Sequence, residues 1–86
     1  MERAKLIIEG DVQGVLFRAF IKKHADKQNI RGWVKNVSTH IEAILEGDDI
    51  QPLIELCKQG PKKAKITSVR IIRENSKGEF RDFTIK

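Results

Sequence analysis

The sequence has no tyrosine, one tryptophan, one cysteine and two prolines among its 86 residues. The lone Cys57 excludes an intramolecular disulfide and any Cys-based metal cluster. Its place on a helical apolar stripe reads as core packing, not as a nucleophile. Neither of the two histidines stands at a trusted metal-ligand spacing from another His, Cys, Asp or Glu, so no metal is expected. No apolar run is long enough to span a bilayer, and charge begins at Glu2, so neither a transmembrane segment nor a signal peptide is predicted. A cytoplasmic setting fits the sparse cysteine. Few aromatics also bear on function. Sheet proteins that bind single-stranded RNA stack bases on strand aromatics. Here the first strand has none, and Trp33 is the only strand aromatic near the sheet centre, so nucleic acid is not an expected partner. Repeats, linkers and low-complexity segments are absent too.

What is present belongs to one small domain, residues 1–86, expected to be monomeric. The chain is 40% hydrophobic and 34% charged, ordinary values for a globular protein. At this size there is no room for two cores. The net charge of +5 is spread along the chain, and its densest run, Lys62-Lys63-Ala64-Lys65, is too short for a nucleic-acid patch.

Periodicity predicts the elements in turn. Residues 3–9 alternate as a strand, with Ala4, Leu6 and Ile8 on one face, and the strand ends at Gly10. Residues 17–28 turn helical, with Phe17, Phe20, Ile21, His24 and Ala25 on one stripe. His24 reads as a packed histidine, and Asn29 suits the left-handed position after a helix. Residues 30–37 and 41–46 form a hairpin through Ser38-Thr39, with His40 in the turn and exposed. Gly47-Asp48-Asp49 caps a second helix whose stripe is Ile50, Leu53, Leu56 and Cys57, with Pro52 near its start and Gly60-Pro61 stopping it. Residues 65–74 form a strand whose period slips between Ile66 and Val69, the mark of a bulge. Residues 80–86 form a short last strand with Phe83 and Ile85 on one face. The order β-α-β-β-α-β plus a short C-terminal strand gives an α+β, ferredoxin-like sandwich, with two helices on one face of an antiparallel sheet.

The chemistry concentrates in Gly10-Asp-Val-Gln-Gly-Val-Leu-Phe-Arg18, between the first strand and the first helix. Backbone N–H groups of such a loop, together with the helix N-terminus, suit an anion, and arginine adds a planar fork matched to phosphate. It is neither a Walker A loop nor Gly-x-Gly-x-x-Gly.

This loop resembles the signature loop of the acylphosphatase family. Gly32-Trp33-Val34-Lys35-Asn36 is similar to that family's second motif, and Gly78-Glu79-Phe80 with Phe83 and Ile85 to its closing strand. The resemblance implies an acylphosphatase: a ferredoxin-like enzyme that hydrolyses acyl phosphates to a carboxylate and inorganic phosphate without metal or cofactor. It implies that Val12, Gln13, Gly14, Val15, Leu16, Phe17 and Arg18 bind the phosphate, that Arg18 pairs with its oxygens and that Asn36 orients the attacking water. Inorganic phosphate would be product and competitive inhibitor. Two departures carry expectations. Asp11 should oppose a dianion in the loop, and the glycine-free hairpin after Asn36, one residue shorter than the family's common form, could displace Asn36. A catalytically weak anion-binding module, or less readily a single-stranded RNA-binding domain, are the alternative readings.

Overall fold

The computed structural model describes residues 1–86. Five strands and two helices follow in order: β1 (Glu2–Asp11), α1 (Phe17–Lys27), β2 (Arg31–Val37), β3 (His40–Gly47), α2 (Gln51–Gln59), β4 (Lys65–Glu74) and β5 (Phe83–Ile85). The strands lie in one sheet ordered β4-β1-β3-β2-β5. The alternating apolar residues of the strands and the helical stripes meet in a single core on one face of the sheet. Ala4, Leu6 and Ile8 of β1, Ile41, Ala43 and Leu45 of β3, and Phe17, Ile21 and Ala25 of α1 are buried there, as their periods predict. Ile54, which the predicted stripe of α2 omitted, is buried beside Leu53 and Cys57.

Several boundaries have tertiary causes. Asn29 takes φ 56°, the left-handed residue that ends α1. Opposite β1, Ser68 faces Glu9 and Ile66 faces Gly10, so Thr67 is the extra residue of a bulge where the period slips. The start of α2 corrects its expected cap. Asp49 accepts a bond from the N–H of Gln51 at 3.2 Å, but the N–H of Ile50 donates to the Glu2 carboxylate on β1 at 3.0 Å.

The last strand also differs from expectation. Only Phe83–Ile85 is regular, and it pairs parallel with β2, so an otherwise antiparallel sheet becomes mixed. Phe83, 1% exposed, anchors it in the core. A network on the opposite face of β1 secures the long connection before it. Arg3 Nε donates to Glu74 at 2.8 Å and Arg3 Nη1 to Glu79 at 2.6 Å, with the buried Glu46 carboxylate 3.7 Å away. Glu46 in turn accepts the backbone N–H of Lys77 at 2.8 Å. Burial works to raise the Glu46 carboxyl, but the N–H groups of Lys77 and Gly78 and the Arg3 charge outweigh it, holding it below the ordinary carboxylate range.

Candidate active site

The phosphate-loop candidate begins two residues later than its glycine suggested. β1 runs on through Gly10 to Asp11. Gly10 sits at the bulge with φ 131°, where a Cβ would stand 2.1 Å from the Lys65 carbonyl oxygen. Its glycine therefore admits the backbone of β4 and does not cradle a ligand. Asp11 faces Lys65 in the ladder, is exposed and is not part of the cavity wall, which begins at the next residue, Val12.

The loop proper spans residues 12–16. Val12, 1% exposed, pins one end in the core and Phe17, also 1% exposed, the other. Between them Gly14 takes φ 73° and Leu16 φ 62°, so the chain turns twice through left-handed geometry. For Leu16 that costs about 1–2 kcal/mol. Leu16 is the N-cap of α1, yet no side chain caps the helix. Gln13-Gly14 forms a turn, and from Leu16 to Ala19 no backbone N–H donates to a backbone acceptor. A run of free donors at a helix N-terminus, where the helix dipole adds positive potential, is an anion-binding arrangement.

Arg18, one turn-step into α1, lies half-buried beside these donors. The ion pairs of the molecule involve Arg3, Lys5, Lys22, His40 and Lys58, and none involves Arg18. Its fork is therefore free for a ligand. Asn36 projects from β2 into the same cavity, whose volume is about 230 Å³. The wall is formed by Val12, Gln13, Gly14, Leu16, Phe17, Arg18, Ala19, Asn36 and Ile85. With the short hairpin in place, Asn36 and Arg18 both line this cavity. Val15 is the loop residue that does not line it, since its side chain packs toward the core.

Gln13 explains how the two walls stay in register. Its Nε2 donates to the carbonyl of Ser38 at 2.8 Å and to that of His40 at 3.0 Å. One amide group therefore ties the loop to the turn that follows Asn36. Ser38 takes φ 55°, which completes the two-residue turn without glycine. Sequence reasoning placed Gln13 in the loop but not in this tie, and it missed Ile85 and Ala19 in the wall. The period could have put Ala19 near the helix start; nothing local could have brought β5 there.

The remaining chemical candidates stand outside the cavity. His24 packs edge-on to Phe20, with ring centroids 4.7 Å apart. His40 is the first residue of β3 and half-buried, not an exposed turn residue. Its Nε2 lies 2.9 Å from Glu42. That contact, aided by Lys5 against burial, holds the Glu42 carboxyl below its ordinary value. Burial pushes the Cys57 thiol up to about 12, so it is inert at neutral pH. Trp33 on the open face of the sheet is flanked by Lys35 and Lys86, whose ammonium groups lie 5.0 and 4.9 Å from its ring centre.

Comparison with known proteins adds a family to this geometry. The Acylphosphatase family profile matches residues 4–85. The chain is 45% identical over 89 aligned residues to an acylphosphatase of Pyrobaculum arsenaticum, covering 99% of this chain and 94% of the relative. It is 39% identical to one of Aeropyrum pernix, covering 98% of this chain and 87% of the relative. Among solved structures, the crystal structure of acylphosphatase from Bacillus subtilis superposes with a TM-score of 0.95 at 34% identity, over 100% of this chain and 99% of the other.

Proposed function

This chain belongs to the acylphosphatase family and hydrolyses acyl phosphates; from that premise we propose that the cavity between residues 12–19 and Asn36 is its catalytic centre. The observation that carries the proposal is the convergence of an unpaired arginine with unpartnered backbone donors at the start of α1. The phosphate dianion sits on the N–H groups of the loop and first helical turn, and the Arg18 fork takes two of its oxygens. Asn36 holds a water opposite the acyl oxygen, using an amide that can donate and accept without titrating. The water oxygen bonds to phosphorus as the bond from phosphorus to the acyl oxygen breaks. The electron pair leaves with the carboxylate, and the water's proton passes to a phosphate oxygen.

The cavity wall offers no carboxylate, imidazole or thiol, so no side chain in it stands ready as a general base. A carboxylate leaves readily, so little proton transfer is required, and positioning with charge stabilisation supplies the rate. Inorganic phosphate, sharing the dianion, would compete with substrate. A monomer acting in the cytoplasm completes the reading. No helix is long and apolar enough to cross a membrane.

The test is hydrolysis of benzoyl phosphate by wild type, Arg18→Ala and Arg18→Lys. Arg18→Ala should lose turnover and phosphate inhibition together. Arg18→Lys should recover little, because a point charge does not replace a bidentate fork. A folded Arg18→Ala protein with substantial activity would refute the assignment.

A further inference from the structure

No helix covers the sheet face opposite the core, and the largest cavity of the molecule lies there, a groove of about 660 Å³. Cross-strand register builds its floor. Trp33 of β2 faces Ile44 of β3, and Ile44 faces Lys5 of β1. Phe80, in the connection before β5, adds a second ring to the lining.

Charge in and beside this groove is one-sided once its ion pairs are set aside. Two carboxylates line it, Glu74 and Glu79, and Arg3 pairs with both. Lys5 is held by Glu42. Lys35, Lys77 and Lys86 take part in no ion pair. Lys77 and Lys86 line the groove, while Lys35 and Lys86 place their ammonium groups 5.0 and 4.9 Å from the centre of the Trp33 ring. One lysine over an indole is ordinary surface packing. Two on the same ring repel each other, and no carboxylate of the fold pairs with either. Unpaired cations gathered around an aromatic platform in a concavity match a ligand that is both anionic and planar.

We propose that this groove binds a nucleoside di- or triphosphate, with the base stacked on Trp33 and the phosphates held by Lys35, Lys77 and Lys86. Base stacking on an indole outweighs an exposed cation–π contact, so the ring exchanges its lysines for the base and the ammonium groups turn to the phosphates. The volume of the groove lies in the range of small-ligand sites. One platform fits one base. A nucleic-acid strand needs successive stacking rings across the sheet, and β1, β3 and β4 carry no Phe, Tyr or Trp. The site is separate from the catalytic cavity, because Trp33 and Lys35 project from one side of β2 and Asn36, the next residue, from the other. Both can therefore be filled at once.

Trp33 is the only tryptophan and the chain has no tyrosine, so indole emission reports this groove alone. The experiment follows that emission during titration with ATP, ADP, inorganic tripolyphosphate and adenosine. ATP and ADP should quench it saturably. Tripolyphosphate and adenosine, each carrying half of the recognised chemistry, should bind at least about tenfold more weakly. The Lys35→Ala/Lys86→Ala double variant should lose about tenfold in ATP affinity, and Trp33→Leu, followed by calorimetry, a similar factor. Arg18→Ala, or excess inorganic phosphate on wild type, should change ATP affinity less than about twofold, since neither touches this face. Loss of ATP binding in Arg18→Ala would place the nucleotide in the catalytic cavity, overturning the proposal and leaving the phosphate reading of that cavity intact. Equal affinity for tripolyphosphate and ATP, or unchanged affinity in the lysine and Trp33 variants, overturns it too. So does an oligouridylate that binds more than about tenfold tighter than ATP, which would make the face a single-strand platform. Quenching by phosphatidylserine vesicles but not by ATP would assign the lysines to a lipid surface and refute the nucleotide site.

Discussion

Gln13 gives the sharpest test of how the cavity is held together, because one amide group makes both bonds that join its two walls. Gln13→Ala deletes the 2.8 Å bond to Ser38 and the 3.0 Å bond to His40. Each is worth about 0.5–1.5 kcal/mol net, and the Ser38 bond is exposed, so the loss should be about 1–2 kcal/mol. In a domain of this length that lowers Tm by about 5–10 °C. The functional effect should exceed the structural one. Without the tie, the turn after Asn36 and the loop before Arg18 move independently, and a water misplaced by about 1 Å costs about a hundredfold in rate. We expect kcat for benzoyl phosphate to fall about ten- to a hundredfold, while the phosphate inhibition constant changes less than about threefold. Gln13→Glu should behave differently. A carboxylate cannot donate to either carbonyl, and it places a negative charge in the wall facing the dianion. Phosphate inhibition should therefore weaken as well, and recover partly as salt rises. Steady-state kinetics with phosphate as inhibitor, paired with thermal melts, provides the readout. The reasoning fails if Gln13→Ala lowers Tm but leaves kcat within twofold, for then the β2–β3 ladder alone fixes Asn36. It fails equally if kcat and phosphate affinity fall in step, which would place the action of Gln13 on the loop.

Three other outcomes follow from the same geometry. Asn36→Ala should lower turnover and leave phosphate inhibition nearly unchanged, since the amide is assigned to the water; a parallel fall in both constants would show it holding the anion instead. Asp11→Asn should alter KM and phosphate inhibition less than about twofold at ~0.15 M salt, because an exposed carboxylate outside the wall is screened; a severalfold tighter inhibition at that salt would bring Asp11 back to the site. Arg3→Met leaves Glu46 buried without its cation and should cost about 3 kcal/mol at neutral pH, measured by urea unfolding. The Glu46 carboxyl is depressed in the folded state, so its contribution is present above the ordinary carboxylate value and is lost as pH falls through the lower folded value. The gap between wild type and Arg3→Met should therefore narrow in acid. The Arg3 guanidinium also lies over the Phe80 ring, 5.0 Å from its centre; a gap constant with pH would show that this lost packing, not the Glu46 charge, sets the cost.

Local chemistry determined a large part of this protein from sequence alone. The alternation of Ala4, Leu6 and Ile8 fixed the inner face of β1, because burial in a strand has a period of two. The stripe of Phe17, Ile21 and Ala25 fixed the buried side of α1 for the corresponding helical reason. The slip between Ile66 and Val69 announced a bulge, and Asn29 announced a left-handed helix end. Arg18 and Asn36 were legible as a pair only through the resemblance of their motifs, since residue type at either position also suits an ordinary helix and an ordinary turn. Tertiary structure decided what depends on groups distant in the chain. Gly10 looked like a loop glycine, yet its need arises from the carbonyl of Lys65 on another strand. Glu2 holds the start of α2 from 48 residues away, and Gln13 reaches the hairpin turn 25 and 27 residues on. The parallel pairing of β5 with β2 brings Ile85 to the cavity. Such contacts have no period and no local signal. They are selected by which edges and donors remain unsatisfied once the core has closed, and only the closed core presents that choice.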